Sequence, residues 1–318
     1  MSEIAQAYRL AEAGRTGEAV ATLQSAGSAG SADALVELAV WYLGGRIVPR
    51  DLQKTRHLFG AAAKLGHARA AEVYLNFLAN GTGGSQQWLE ARERLEVMAS
   101  RDPEAQKRLL LLNAMDLQQT GDPKHPLDAE VLSQSPEVRY FTEFLSADEC
   151  RYLIERASPT MAPSVVVDPQ NGRFIPHPFR TSDNTAFPWV DEDPVIHAIN
   201  RRIAAATETD VTGGEPLQVL RYRPGQEYRP HHDALPGTDN QRIVTFLLYL
   251  NEGYSGGETL FLHNGLRVAG RRGDGLMFRN ADDRGRPDPT ATHAGCPVTA
   301  GEKMLATRWI HQRRFGPL

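Results

Sequence analysis

Cysteine is almost missing from this 318-residue chain: Cys150 and Cys296 are the only two, far apart and in no CxxC pair. That excludes a disulfide framework and a cysteine metal site, and both thiols are expected to be reduced. Long apolar runs are missing as well. The N-terminus, MSEIAQAYRLAEAGRTGEAV, carries acids and arginines where a secretory peptide needs an apolar core of about 7 to 15 residues, and nothing elsewhere approaches a membrane span. Nor is one sign of charge in excess, since 35 basic side chains stand against 39 acidic ones, a formal charge of -4. Such a balance offers no global attraction to nucleic acid or to an anionic membrane. The expectation is a soluble, cytoplasmic protein with neither nucleic acid nor membrane as partner.

What the chain does contain falls into two textures. Its length exceeds the roughly 100 to 200 residues of one typical domain, so two units are expected. Residues 1–117 are rich in Ala, Leu, Glu and Arg, with apolar positions at helical spacing and glycine only between the periodic runs. Shifting the sequence by 36 brings Leu23 onto Phe59, Gly30 onto Gly66, Ala34 onto Ala70, Leu38 onto Tyr74, Trp41 onto Phe77 and Gly45 onto Gly81. A period of that size points to stacked helical hairpins, each burying its apolar face against the next. A helical bundle with accidental periodicity is the alternative. Residues 118–134, with two prolines and no periodicity, read as a connection. Residues 135–318 hold short β-rich runs such as SVVVD, LQVLRY, RIVTFLLYL, ETLFL, DGLMF and KMLATRWI, broken by Gly, Pro, Asn and Asp, which suits an antiparallel sandwich or barrel. SADECRYLIERAS, with a Ser start and an acid three residues on, and PVIHAINRRIAAATE are expected to be flanking helices.

The chemistry concentrates in QVLRYRPGQEYRPHHDAL. His231 and Asp233 share one face of an extended strand because side chains alternate, which turns His232 to the other face. His293 in ATHAGCPVTAGEK is the best candidate for a third ligand. Two histidines and a carboxylate suit iron(II) with open coordination positions, and they also suit a hydrolytic zinc site.

Two resemblances sharpen this. ALVELAVWYLGGRIVPRDLQKTRHLFGAAAKLGHARAA resembles a Sel1-like repeat, a relative of the tetratricopeptide repeat, in its LAVWYLGG, LFGAAAKLG and final Ala positions. It implies a surface that binds a peptide or protein, and hence a route to substrate recruitment. From about Val138 to Phe315 the chain resembles the prolyl 4-hydroxylase family of 2-oxoglutarate dioxygenases, through FLSADECRYLIE, FRTSDNTAF, DPVIHAINRRIAAAT, LQVLRYRPGQEYRPHHD, QRIVTFLLYLNEGYSGGETLF and HAGCPVTAGEKMLATRWIH in the family's order. The fold class implied is α+β multidomain: an all-α Sel1/TPR-like repeat domain, then a double-stranded β-helix (jelly-roll) dioxygenase domain with flanking helices.

By the same resemblance, His231, Asp233 and His293 bind Fe(II), and Lys303, ten residues after the distal histidine, pairs with the C5 carboxylate of 2-oxoglutarate. A buried ammonium needs such an anion. If Lys303 opens a strand, Lys303, Leu305, Thr307, Trp309 and His311 share one face and Arg308 the other. Tyr222 and Thr259 are implied to offer hydroxyls to 2-oxoglutarate. Tyr228, Arg242, Trp309 and His311 correspond to positions around a target proline, and Arg180 lies in the region that closes over the peptide. Dioxygen is the second cosubstrate, ascorbate a candidate reductant, and succinate and carbon dioxide the coproducts. The carboxylate of Asp233 separates the site from halogenases, which have Gly or Ala there. The loop ALPGTDNQR is shorter than in collagen-type enzymes. Hydroxylation of a free amino acid or natural-product small molecule at the same iron site stays open, as does a repeat-based binding module with an inactive oxygenase domain.

Overall fold

The structure is a computed structural model that describes residues 2–125, 127–167, 174–176 and 179–316. Pro126, in the expected connection, and Asp168, at the end of the expected SVVVD strand, lie outside the described residues. The described residues divide into two compact units: residues 2–121 with 189–198, and those of 122–188 with 199–316.

Helices α1 (Glu3–Glu12), α2 (Thr16–Ser28), α3 (Ala32–Gly44), α4 (Leu52–Lys64), α5 (Ala68–Asn80), α6 (Trp88–Ala99) and α7 (Pro103–Ala114) build the first unit. The 36-residue shift seen in the sequence carries α2 onto α4 and α3 onto α5, end for end. The equivalence extends to the caps. Ser31 Oγ accepts from the Ala34 N–H and His67 Nδ1 accepts from the Ala70 N–H, each closing the first turn of its helix. Gly45 and Gly81 end α3 and α5 at φ 69° and 77°, a left-handed conformation open to glycine at little cost. Ala39, Phe59, Ala62, Ala70, Val73 and Phe77 form a core shared by α3, α4 and α5, with Phe59 and Phe77 edge to face. Trp189 and Val190 pack on the same cluster, and Asn76 and Asn80 donate to their carbonyl oxygens at 2.9 and 2.8 Å. Nothing in the local sequence around Trp189 signals this attachment.

The second unit holds α8 (Ala147–Ala157), two facing sheets and two separate strand pairs. Its strands are β1 (Glu130–Gln134), β2 (Glu137–Phe141), β3 (Ala162–Pro163), β4 (Val165–Val167), β5 (Phe174–Pro176), β6 (Asp183–Ala186), β7 (Gln218–Tyr222) and β8 (Tyr228–His231). They continue as β9 (Arg242–Tyr249), β10 (Ser255–Gly256), β11 (Thr259–Phe261), β12 (Arg267–Val268), β13 (Gly275–Arg279), β14 (His293–Gly295), β15 (Val298–Ala300) and β16 (Lys303–His311). The larger sheet runs β1-β2-β13-β9-β16-β7-β6-β3 and the smaller β12-β11-β14-β8, while β4 with β5 and β10 with β15 form the separate pairs. All pairings are antiparallel, as the jelly-roll expectation requires. Glu130–Gln134, inside the stretch read as a connection, forms β1 because its residues pair with β2.

Strands β9 and β16 sit at the centre of the larger sheet and read as almost unbroken apolar runs, because both their faces are covered. One face meets the smaller sheet across a core of Leu220, Tyr222, Leu247, Tyr249, Phe261, Phe278 and Leu305. On α8, Ser146 Oγ accepts from the Glu149 N–H while the Glu149 carboxylate accepts from the Ser146 N–H, the reciprocal cap expected from SADE. Arg202, in the helix Pro194–Thr207, then pairs with Glu149 at 2.7 Å.

Candidate active site

The smaller sheet sets the histidines side by side. His231 at the end of β8 and His293 at the start of β14 are register partners, and Asp233 lies two residues beyond His231 in a bend. The expected strand therefore stops at His231, but the bend still brings Asp233 to the same place. One ligand atom from each of His231, Asp233 and His293 lies within 4.8 Å of the other two.

Hydrogen bonding sets the chemistry of the donors. His231 Nδ1 donates to the Arg229 carbonyl at 2.8 Å and His293 Nδ1 donates to the Ala291 carbonyl at 3.0 Å. In its neutral form each ring carries its lone pair on Nε2, which lies 3.5 Å from Asp233 Oδ1 for His231 and 3.7 Å from Asp233 Oδ2 for His293. Burial pushes the His293 imidazole down to about 4 against the pull of Asp233. Burial would also push the Asp233 carboxyl up, but an N–H donated by His231, the positive charge of the His293 and His231 rings in their protonated form, and the Thr245 hydroxyl outweigh it and hold the group well below the usual carboxylate range. With both rings neutral, two imidazole lone pairs and a carboxylate converge on one place. A divalent cation satisfies all three, and the set fits iron(II). His232 is turned away: its Nε2 donates to the Asp288 carbonyl and its Nδ1 accepts from the Ala234 N–H, which ties down the turn behind Asp233.

The cluster lines a cavity whose wall includes β16. Lys303, Leu305, Thr307 and Trp309 face it, as alternation from Lys303 predicts, while His311, expected on the same face, does not line it, because the register shifts between Ile310 and His311 and its ring bonds the Asn240 carbonyl and Glu215; Arg308 turns away and donates to the Val211 carbonyl. Lys303 is 3% exposed, and its Nζ donates to the Gly257 carbonyl at 2.6 Å. Gly257 adopts φ +73°, and a Cβ there would stand 3.1 Å from Lys303 Cδ, so glycine lets the backbone come close to the lysine stem. Burial pushes the ammonium down to about 8. Tyr222 and Thr259 line the same cavity, and burial pushes the Tyr222 phenol up to about 12, which keeps it a proton donor.

Of the expected substrate residues, Tyr228 and Trp309 line the cavity, and Tyr228 stacks on His231 with centroids 3.5 Å apart. Arg180 lies 5.6 Å above the Tyr228 ring and donates to Gln218 at 3.0 Å. Arg242 stacks 4.3 Å over Trp309. Sequence reading missed the residue that organises this rim. Glu215 accepts from Arg242 Nε at 2.5 Å and from His311 Nε2 at 2.8 Å, and its own N–H donates to the Trp309 carbonyl. Its local sequence, GGEPLQ, carries no motif, and only the approach of β7, β9 and β16 brings Glu215 to its partners.

Buried lone-pair donors, a buried lysine and an aromatic wall in one jelly-roll cavity define the class of a mononuclear metal oxygenase. Residues 217–311 match the family described as the 2OG-Fe(II) oxygenase superfamily. Prolyl 4-hydroxylase 1 of Arabidopsis thaliana is 37% identical over 203 residues, covering 58% of this chain and 72% of the relative. Probable prolyl 4-hydroxylase 3 of the same plant is 38% identical over 206 residues, covering 57% and 71%. Among solved structures, the 2OG complex of the viral collagen prolyl hydroxylase vCPH from Paramecium Bursaria Chlorella virus-1 is 30% identical with TM-score 0.44, covering 55% of this chain and 95% of that one. A Sel1 repeat protein from Oxalobacter formigenes matches at 24% identity and TM-score 0.29, covering 34% of this chain and 85% of that one. The chain belongs to the prolyl 4-hydroxylase family. It is a 2-oxoglutarate-dependent dioxygenase with iron(II) as cofactor, which resolves the choice between iron and zinc left open by the ligand types.

Proposed function

We propose that the enzyme hydroxylates a prolyl residue within a peptide or protein. One observation carries the reading: a buried lysine and an aromatic wall, Lys303 and Trp309, stand about 20 Å apart along the cavity face of one strand that also borders the metal-ligand cluster. His231, Asp233 and His293 would hold iron(II). Lys303 would pair with the far carboxylate of 2-oxoglutarate, with the Tyr222 and Thr259 hydroxyls donating beside it. Tyr228 and Trp309 would flank a pyrrolidine ring, and Arg242, His311 and Arg180 would hold the adjoining peptide bonds.

Bound iron(II) would activate dioxygen, the oxidant, with 2-oxoglutarate giving two of the four electrons and the substrate C–H the other two, so that one oxygen atom would enter the substrate and the other succinate, with release of carbon dioxide. The protein's own contribution is placement. Leu220, Leu247, Val298 and Leu305 keep water from the cavity, and the paired β8 and β14 keep the two imidazoles at fixed separation. The names of the relatives support the prolyl target. We also propose that the repeats recruit the substrate protein through the groove between α2, α3 and α4 where Leu35, Tyr42, Lys54 and His57 meet.

The test is succinate release with iron(II) and 2-oxoglutarate, together with mass spectrometry of the acceptor. Proline-containing peptides should stimulate turnover and gain one oxygen. Stimulation by free amino acids and not by peptides would overturn the peptide assignment. Tyr42→Ala with His57→Ala should raise KM for a protein substrate and leave a short peptide unaffected; equal effects on both would dismiss the recruitment role.

A further inference from the structure

Behind Asp233 lies a polar chain that the roles above do not use. Thr245, on β9, donates from Oγ1 to Asp233 Oδ2 at 2.6 Å. Asn280, directly after β13, donates from Nδ2 to the same Thr245 Oγ1 at 2.8 Å. Thr245 is 1% exposed and Asn280 is fully buried. Asn280 is itself fixed by its backbone, since its N–H donates to the Ile243 carbonyl and its carbonyl accepts from the Asp288 N–H, both at 2.8 Å.

The direction of this chain follows from proton counting. A threonine hydroxyl has one proton and accepts through its lone pairs. Because the Asn280 amide gives a proton to Oγ1, the hydroxyl proton is left for Asp233. Turning the Asn280 amide over would present its oxygen to Thr245, and the single hydroxyl proton could not serve that oxygen and the carboxylate together. The present orientation leaves Asn280 Oδ1 buried without a hydrogen-bond partner, so satisfaction of Asn280 itself does not select it. The demand of the carboxylate does.

We propose that Asn280 and Thr245 are positioning residues for the metal centre: they fix the rotation of the Asp233 carboxylate, occupy its Oδ2, and leave Oδ1 as the oxygen offered to the metal. The contacts on the cluster side agree. His231 Nε2 faces Oδ1 at 3.5 Å and His293 Nε2 faces Oδ2 at 3.7 Å, so both oxygens border the cluster, but among the described residues only Oδ2 is occupied by a hydroxyl donor, which leaves the lone pairs of Oδ1 free of one. The inner position is set by sheet register, because Thr245 pairs with Phe278 on β13 and with Trp309 on β16 and so faces inward beside Leu247 and Tyr249. A carboxylate held by one neutral hydrogen bond on one oxygen keeps its charge for the metal and loses the freedom to swing to a two-oxygen mode.

The inference rests on Asp233 as a metal ligand, and the experiment separates the two. Cobalt(II) affinity and visible absorption are measured on the full chain without 2-oxoglutarate, for wild type, Asp233→Ala, Thr245→Val, Thr245→Ser, Asn280→Ala and the Thr245→Val/Asn280→Ala double variant, with metal-free thermal unfolding recorded for each. Thr245→Val keeps the side-chain shape and loses the proton. It should bind cobalt about 10- to 100-fold more weakly, with altered ligand-field bands, while its metal-free unfolding temperature is unchanged or higher. Thr245→Ser should restore affinity to within about threefold of wild type. Asn280→Ala should weaken binding in the wild-type background and add nothing once Thr245 is valine, because its effect passes through that hydroxyl. Wild-type affinity and bands in Thr245→Val, a loss in Thr245→Ser equal to that in Thr245→Val, or additive losses in the double variant would each overturn the proposal. Undiminished cobalt binding by Asp233→Ala would instead remove the ligand assignment beneath it.

Discussion

Lys303 on β16 and Tyr222 on β7 are cross-strand partners, and the lysine ammonium lies 6.0 Å from the centre of the phenol ring. The pairing places a cation and a protonated hydroxyl at neighbouring points of one buried wall, an arrangement that fits a carboxylate accepting from both. Lys303→Ala should raise the 2-oxoglutarate KM about 10- to 100-fold while iron(II) affinity stays near wild type. Titrations of each cosubstrate at saturating levels of the other check this. A parallel loss of iron affinity would make Lys303 a structural residue.

The same lysine gives a pH dependence with a definite sign. Burial depresses its ammonium to about 8, with Glu258 opposing, and a carboxylate binds the protonated form. The 2-oxoglutarate KM should be flat below about pH 8 and climb above it, approaching tenfold per pH unit, as the free enzyme loses that proton. Steady-state kinetics across neutral to alkaline buffers decide it, and a KM that stays flat to alkaline pH would contradict it.

Removal of a metal ligand has a spectroscopic readout. Anaerobic addition of iron(II) and 2-oxoglutarate should give a weak visible charge-transfer band, and His231→Ala or His293→Ala should abolish it, with iron affinity reduced about a hundredfold or more. Retention of the band in either variant would take that histidine out of the ligand set.

Glu215 holds at once two residues proposed to contact the peptide, so its loss should fall on one parameter. Glu215→Ala releases Arg242 and His311, and peptide KM should rise about tenfold, with the 2-oxoglutarate KM unchanged. A drop confined to kcat would place Glu215 in the chemical step.

Stability of the repeat unit depends on its stacked interior. Phe77 is fully buried, and Phe77→Ala should cost about 3 to 5 kcal/mol. Gly81→Ala puts a side chain at φ 77° and should cost about 1 kcal/mol. Urea unfolding followed by helical circular dichroism measures both. An equal cost for the two would be inconsistent with the packing described.

Much of the fold was legible because its causes are local or periodic. The repeat of 36 aligned caps, glycines and core positions, since a helical hairpin stacked on its copy needs the same residues at the same places. Alternation along KMLATRWIH predicted the cavity face of β16 from Lys303 to Trp309 but not the register shift that takes His311 off it, and Ser146 with Glu149 announced the start of α8. The strand ending at His231 and the pairing of Glu130–Gln134 into β1 were not visible, because both depend on hydrogen bonds to strands distant in sequence.

By itself the amino-acid order determined two units, a helical array and an antiparallel β domain, and marked His231, Asp233, His293 and Lys303 as the residues of interest. Only the tertiary structure decided that His231 and His293 are register partners, that their lone pairs point inward, and that Glu215, Thr245 and Asn280 belong to the site at all. The reason is physical. Periodicity and capping act over a few residues and leave a trace in the sequence, whereas a hydrogen bond between an aspartate and a threonine on different strands is specified by sheet register, which no short stretch of sequence contains.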